Sequence, residues 1–142
     1  MRIGEAVTLP GGCHCGTVRF EADLPESWFP HLCNCSLCGM KGSILIDVPL
    51  AALRITEGQD RLTLYTFNTG VAKHHFCSTC GIHPFHQLRS EPDKYGINGV
   101  CLDGLDRYLF EELPVHDGQN HPKDNDGRSG WAGVVRYESR TR

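Results

Sequence analysis

A mainly β, loop-rich single domain is what this sequence predicts, and three observations carry it. Short strand-like apolar runs outnumber helical patterns, sixteen glycines punctuate them, and seven of the eight cysteines fall into three tight groups. At 142 residues the chain is long enough for one domain. A chain of that size buries about two-thirds of its unfolded surface, so its core does not need metal to make it viable.

Residues 17–22 alternate cleanly, with Val18, Phe20 and Ala22 on one face and Thr17, Arg19 and Glu21 on the other. Residues 43–48 form a nearly continuous apolar run and read as a more buried strand, and residues 53–56 as a short one. Residues 62–67 and 71–76 flank Asn68-Thr69-Gly70, which suits a three-residue hairpin loop. Residues 96–102 and 134–137 complete the predicted strands. Helical signals are confined to one turn at 49–53 and a short helix over 105–113. From about 114 to 130 the chain is rich in Gly, Asp, Asn and Pro and reads as a polar loop.

Hydrophobic content of 39% and charged content of 22% are ordinary for a globular chain. A net charge of −3 argues against nucleic-acid binding by phosphate neutralisation. The terminal Arg136, Arg140 and Arg142 are interrupted by Glu138. Residues 1–10 lack the apolar run of a signal peptide, and nothing approaches the roughly 20 apolar residues of a membrane span. A cytoplasmic setting is therefore expected, in which clustered thiols stay reduced and bind metal.

The clusters are Cys13-His14-Cys15, Cys33-Asn34-Cys35-Ser36-Leu37-Cys38 and Cys77-Ser78-Thr79-Cys80, each followed by a glycine, Gly16, Gly39 or Gly81. Sulfurs converging on one zinc at about 2.3 Å need a tight turn, and glycine permits a positive φ there. Four ligands close a structural zinc site, whereas a catalytic site keeps three and leaves a position open. Seven clustered thiolates thus divide as four plus three, although spacing alone does not force the pairing. The trio as a second structural site closed by His31 or Cys101 is the main competitor. Disulfides and iron–sulfur ligation are weaker ones. The reading is one zinc-binding domain over 1–142, with a core at about 9–113 and the polar loop at about 114–130.

With these motifs in view, the chain resembles the glutathione-dependent formaldehyde-activating enzyme family. The features that match are Gly12-Cys13-His14-Cys15-Gly16, the Cys33/Cys35/Cys38 triplet followed by Lys41-Gly42-Ser43, and Phe76-Cys77-Ser78-Thr79-Cys80-Gly81. Residues 89–103, with Tyr95-Gly96-Ile97-Asn98 and Cys101-Leu102-Asp103, resemble the centromere protein V-like subgroup. The resemblance implies a β-tent fold, shared with Rab-binding zinc chaperones and class B methionine sulfoxide reductases. It implies two zincs per chain: a structural one on Cys13, Cys15, Cys77 and Cys80, and a catalytic one on Cys33, Cys35 and Cys38. Asn34 stands where histidine is common in the triplet, and Gly39-Met40 replaces a more usual Arg-containing continuation.

The activity so implied is carbon–sulfur lyase-type: condensation of glutathione, or a related thiol, with formaldehyde or a similar aldehyde. A thiol with pKa about 8.5 is mostly protonated at neutral pH, and metal coordination favours its thiolate. Lys41 and Arg89 are the candidate contacts for glutathione's carboxylates. His74 and His75 should point to opposite faces of their strand. His83 and His86 are candidates for orienting or acid–base groups, and His116 and His121 lie in the loop that could cover the site. Cys101 reads as a small buried hydrophobe. Two rival functions remain. A zinc-stabilised protein-binding module would show a closed second site and an exposed apolar patch. A thiol reductase would need Cys101 exposed with a lowered pKa.

Overall fold

The burial pattern of residues 17–22 follows their alternation, because Val18, Phe20 and Ala22 are buried and Leu24 continues the same face. They belong to β2 (Arg19–Leu24), which lies between β1 (Val7–Gly12) and, further along the chain, β5 (Leu53–Glu57) in an antiparallel three-stranded sheet. The computed structural model describes residues 2–128 and 130–140, so Arg142 lies outside the described residues.

After β1 and β2 come the two-residue β3 (Leu32–Cys33), the helix α1 (Ser36–Lys41) and β4 (Leu45–Pro49). Beyond β5 follow β6 (Leu62–Tyr65), β7 (Lys73–Cys77), β8 (Phe85–Gln87) and β9 (Lys94–Asn98). The chain closes with β10 (Glu112–His116) and β11 (Trp131–Arg136). A five-stranded antiparallel sheet runs in the order β4-β9-β8-β7-β6, and a small third sheet in the order β11-β10-β3. The fold is mainly β, as predicted. The expected turn at 49–53 is a single 3-10 turn at Leu50–Ala52.

Four expectations need correction. The helix over 105–113 is only a 3-10 turn, Arg107–Leu109, begun by Asp106 accepting from the Tyr108 N–H at 2.8 Å. Phe110 and Leu113 are then drawn into the core and pull the chain straight. The polar loop starts later than 114, because β10 continues to His116, pairing in parallel with Leu32 and Cys33. The β6–β7 loop spans residues 66–72, with Asn68 and Gly70 both at positive φ. Finally, β9 ends at Asn98 and residues 99–101 form a 3-10 turn.

The main core packs Phe20, Ala22 and Leu24 against Ile44, Ile46, Val48, Phe85 and Ile97, with Phe20 meeting Phe85 edge-on at 6.1 Å. Cross-strand partners share a face of a sheet. Ile46, Ile97, Phe85 and His75 form one row on the core face. One residue along, Asp47, Gly96, His86, His74 and Tyr65 form a row on the opposite face.

Candidate functional site

The first and third cysteine motifs meet. Cys13, Cys15, Cys77 and Cys80 place their sulfurs within 4.8 Å of one another, with Cys13 and Cys15 at 3.6 Å and Cys15 and Cys77 at 3.7 Å. A tetrahedron of 2.3 Å zinc–sulfur bonds has edges of about 3.8 Å, so the arrangement fits zinc. Backbone N–H groups of Val18 and Thr79 donate to the Cys13 and Cys77 sulfurs at 3.3 and 3.4 Å, which offsets thiolate charge. Val18, fully buried, packs against Cys13 and Cys77 and excludes water from that side. Gly16 and Gly81 do take the positive φ that the knuckles need. As free thiols the four divide their charge unevenly. Hydrogen bonding with Thr17 brings Cys15 down to about 6, while burial pushes Cys13 up to about 11.

The middle motif makes the second cluster, with the Cys33, Cys35 and Cys38 sulfurs also within 4.8 Å of one another. Helix α1 creates this convergence, a feature with no helical signal in the sequence. Cys35 is its N-cap, accepting from the Cys38 N–H at 3.4 Å, so Cys35 and Cys38 face the same way one turn apart. Gly39 therefore lies inside the helix, and the left-handed residue is Gly42, the C-cap, with φ 66°. As free thiols the trio settles its first negative charge on Cys35. Donation from Cys33 and Cys38 holds its pKa down at about 2, and the same sharing, with burial, pushes Cys38 far up. Three thiolates held this close would repel one another, and a divalent cation would offset that repulsion. Neither His31 nor Cys101 belongs to this cluster.

Three segments surround the triplet. Lys41, in the last turn of α1, brings Nζ to 3.3 Å from His74 Nδ1. Burial lowers its pKa, opposed by the three cysteines. His74 is buried and stacks on His86 at 4.9 Å, and His75 points to the other face against Phe85, as the strand period requires. His83 packs on Phe76 at 5.1 Å. The second surrounding segment follows β10. Asn34 N–H donates to His116 O at 3.2 Å, and Asn34 Oδ1 accepts from Gln119 N–H at 3.0 Å. Between them Gly118 lies so close that a β-carbon there would fall within the van der Waals shell of the Cys33 sulfur and 2.8 Å from Cys35 Cβ. Asn34, the departure within the triplet, thus holds a backbone cover in place. Third, Arg89 grips Asp124 through two hydrogen bonds of 2.8 and 2.7 Å, tying this cover to the β8–β9 side. An open depression of about 380 Å³ lined by Gly42, Ile44, Val100 and Leu105 lies beyond the end of α1 and includes no triplet sulfur.

Sequence reading missed Gly118 and Asp47, which no motif flags, and gave Asn98 no role beyond its place in Tyr95-Gly96-Ile97-Asn98. His31 Nδ1, Asp47 Oδ1, His83 Nδ1 and Asn98 Oδ1 are buried without partners. An orphaned polar atom costs about 1–3 kcal/mol, and such atoms are retained where a polar ligand or water is handled. Burial pushes Asp47 up to about 6 and His31 down to about 4, with Asp47 Oδ1 3.7 Å from His31 Nε2. Cys101 is half-buried, and burial pushes its thiol up to about 12. The exposed, acidified nucleophile needed by the reductase reading is not there.

A mainly β fold with a four-cysteine and a three-cysteine cluster, each able to hold a metal ion, defines the class of protein. Residues 8–114 match the family described as glutathione-dependent formaldehyde-activating enzyme, and the chain belongs to that family. A Talaromyces marneffei protein, whose name places it provisionally in the same family, is 30% identical over 112 residues, covering 73% of this chain and 59% of that protein. A similarly named Halomonas elongata protein is 31% identical over 80 residues, 51% of each chain. The chain thus spans only about half to three-fifths of the length of these relatives. A crystal structure of a Rhodobacter sphaeroides protein is 42% identical, with a TM-score of 0.73, covering 75% of this chain and 99% of that one. These matches carry the family; the centromere protein V-like subgroup rests on residues 89–103 alone.

Proposed function

We propose that the chain is a zinc-dependent carbon–sulfur lyase-type enzyme that joins glutathione, or a related thiol, to formaldehyde or a similar aldehyde. The observation that carries this is the second cluster. It has three converging sulfurs and no fourth Cys, His or carboxylate joining them among the described residues, whereas the other cluster has the four sulfurs that would close a structural zinc site. Zinc bound there would supply positive charge that favours the thiolate form of a substrate thiol.

The reaction needs no redox partner. The thiol sulfur bonds to the carbonyl carbon, the carbonyl π bond opens onto oxygen, and the thiol proton ends on that oxygen. Cys33, Cys35 and Cys38 would hold the metal, with Cys35 oriented by the Cys38 N–H. The Gly118 segment excludes water above Cys33 and Cys35. Lys41 is the cation at the triplet and a candidate contact for substrate. Arg89 already holds the Asp124 carboxylate, so a substrate carboxylate would bind there by displacing it. Free clustered thiols suit a reducing cytoplasmic setting. No helix among the described residues is long and apolar enough to cross a membrane.

One observation favours a second reading, the protein-binding module. Trp131, Val134, Val135 and Tyr137 of the C-terminal strand region are all exposed, and Tyr137 packs on the exposed Tyr108 at 4.9 Å. Zinc per chain separates the two readings, measured on wild type and on the Cys33/Cys35/Cys38 triple serine variant with glutathione present. Two zincs falling to one in a variant that stays folded, with loss of S-hydroxymethyl adduct formation, supports the enzyme. A single zinc unaffected by the triplet changes refutes it.

A further inference from the structure

Lys41 is placed with more care than a surface cation requires. Its ammonium points at His74 Nδ1 and makes no ion pair with any carboxylate among the described residues. An ammonium has only donors, so Nδ1 must accept and the His74 ring must be neutral, with its proton on Nε2. His74 is in turn clamped. Phe67 stacks on it at 5.8 Å and 30°, and His86 at 4.9 Å and 16°. His86 occupies the space above Gly96, where a β-carbon would lie 2.8 Å from its Cε1. The sequence thus commits Phe67, His86 and Gly96 to holding one imidazole, and that imidazole holds one ammonium. The zinc and thiol reading has no use for this device until charge is counted.

Zn²⁺ with three thiolates sums to −1, and a substrate thiolate as fourth ligand makes −2. Concentrating that charge in a partly buried site is costly unless a cation stands by. Arg89, which tethers the cover, is engaged by Asp124. Resting on the function proposed above, we infer that Lys41 is the counter-cation for a fourth thiolate at the triplet, and that His74 is the positioning residue that holds it there. The substrate class recognised is the thiolate itself, whatever carboxylates the thiol carries elsewhere. This differs from Lys41 as a contact for a glutathione carboxylate.

The test compares two thiols on the cobalt-substituted protein, reading thiolate-to-cobalt charge-transfer absorbance as each is titrated in. One thiol is glutathione; the other is 2-mercaptoethanol, which has no carboxylate. Lys41→Met, with Lys41→Gln as the substitute if the first fails to retain its structural metal, should weaken both thiols by a similar factor of about tenfold. Lys41→Arg should restore most of the loss. His74→Phe should weaken both thiols several-fold in wild type and add nothing in the Lys41→Met background. Loss confined to glutathione makes Lys41 a carboxylate contact and overturns the inference. Unchanged binding of both thiols overturns it as well. Failure of wild type to bind either thiol removes the enzyme reading itself, and this inference with it.

Discussion

Gly118→Ala tests whether the cover is part of the second metal site. Gly118 is not in the left-handed region, so the cost is steric and can be read from distances. The added carbon would lie 2.8 Å from Cys35 Cβ and 3.1 Å from Cys35 N, and would press on the Cys33 sulfur. Carbon contacts are comfortable at about 3.5–4.0 Å, so the segment must retreat by about 1 Å or the two cysteines must turn. Retreat is resisted by the Gly118 N–H on His116 O and the Gln119 N–H on Asn34 Oδ1, both at 3.0 Å, and by the Arg89–Asp124 pair. Overpacking of this kind costs about 1–3 kcal/mol. Taken up in triplet geometry, that weakens the second zinc about 5- to 150-fold. The four-cysteine site, built from other segments, should not change. Zinc competition against a chromophoric chelator resolves the two sites. A variant that keeps both zincs at wild-type affinity and binds thiol normally would refute the packing argument.

Three other outcomes follow from the same geometry. Asp47→Asn should raise stability at pH 8, because the buried carboxyl has its folded pKa raised to about 6 and is disfavoured when charged. The penalty is full above pH 6 and fades as pH falls toward 4. The gain, discounted to about 1–2 kcal/mol for a side chain one-third exposed, should therefore shrink by pH 5. Thermal melts of both proteins at each pH check this, and a gain that grows on acidification would be the wrong sign. Asp124→Ala should barely change the melting temperature, since a pair with one partner 60% exposed contributes at most about 1 kcal/mol. It should speed limited proteolysis within residues 117–128 several-fold, and equal cleavage rates would show that Arg89 does not tether the cover. Cys101→Ser should keep full adduct-forming activity and zinc content, because a half-buried thiol raised to about 12 is no nucleophile; loss of turnover with both zincs retained would revive the reductase.

The sequence by itself determined the elements whose information is local. The alternation of Val18, Phe20 and Ala22 depends only on the two-residue strand period, and it placed the buried face of β2 correctly. The cysteine motifs were legible for a similar reason: two sulfurs within a few residues must turn back on one ion, and that demand is written in their spacing. Even the four-plus-three partition was visible as arithmetic, although only the fold brings Cys13 and Cys15 to Cys77 and Cys80. β1, β3, β8 and β10 escaped reading, and each is held by strands that lie beside it only after folding. β3 has two residues and exists only because β10 pairs beside it, and β8 sits between two neighbours with a sequence, Phe85-His86-Gln87, that shows no pattern alone. Helix α1 is too short to form by propensity, and its N-cap is a cysteine, so the helix is held by the cluster it helps to build.

Tertiary structure alone decided what surrounds the triplet. Lys41 meets His74 across 33 positions, Arg89 meets Asp124 across 35, and Gln119 meets Asn34 across 85. No periodicity encodes such meetings, because register and loop closure set them after the strands have paired. Gly96 and Gly118 make the point most sharply. Each matters for a side chain it lacks, and the atom that would collide belongs to another strand or another loop, so the space they leave is visible only once the chain has folded around it.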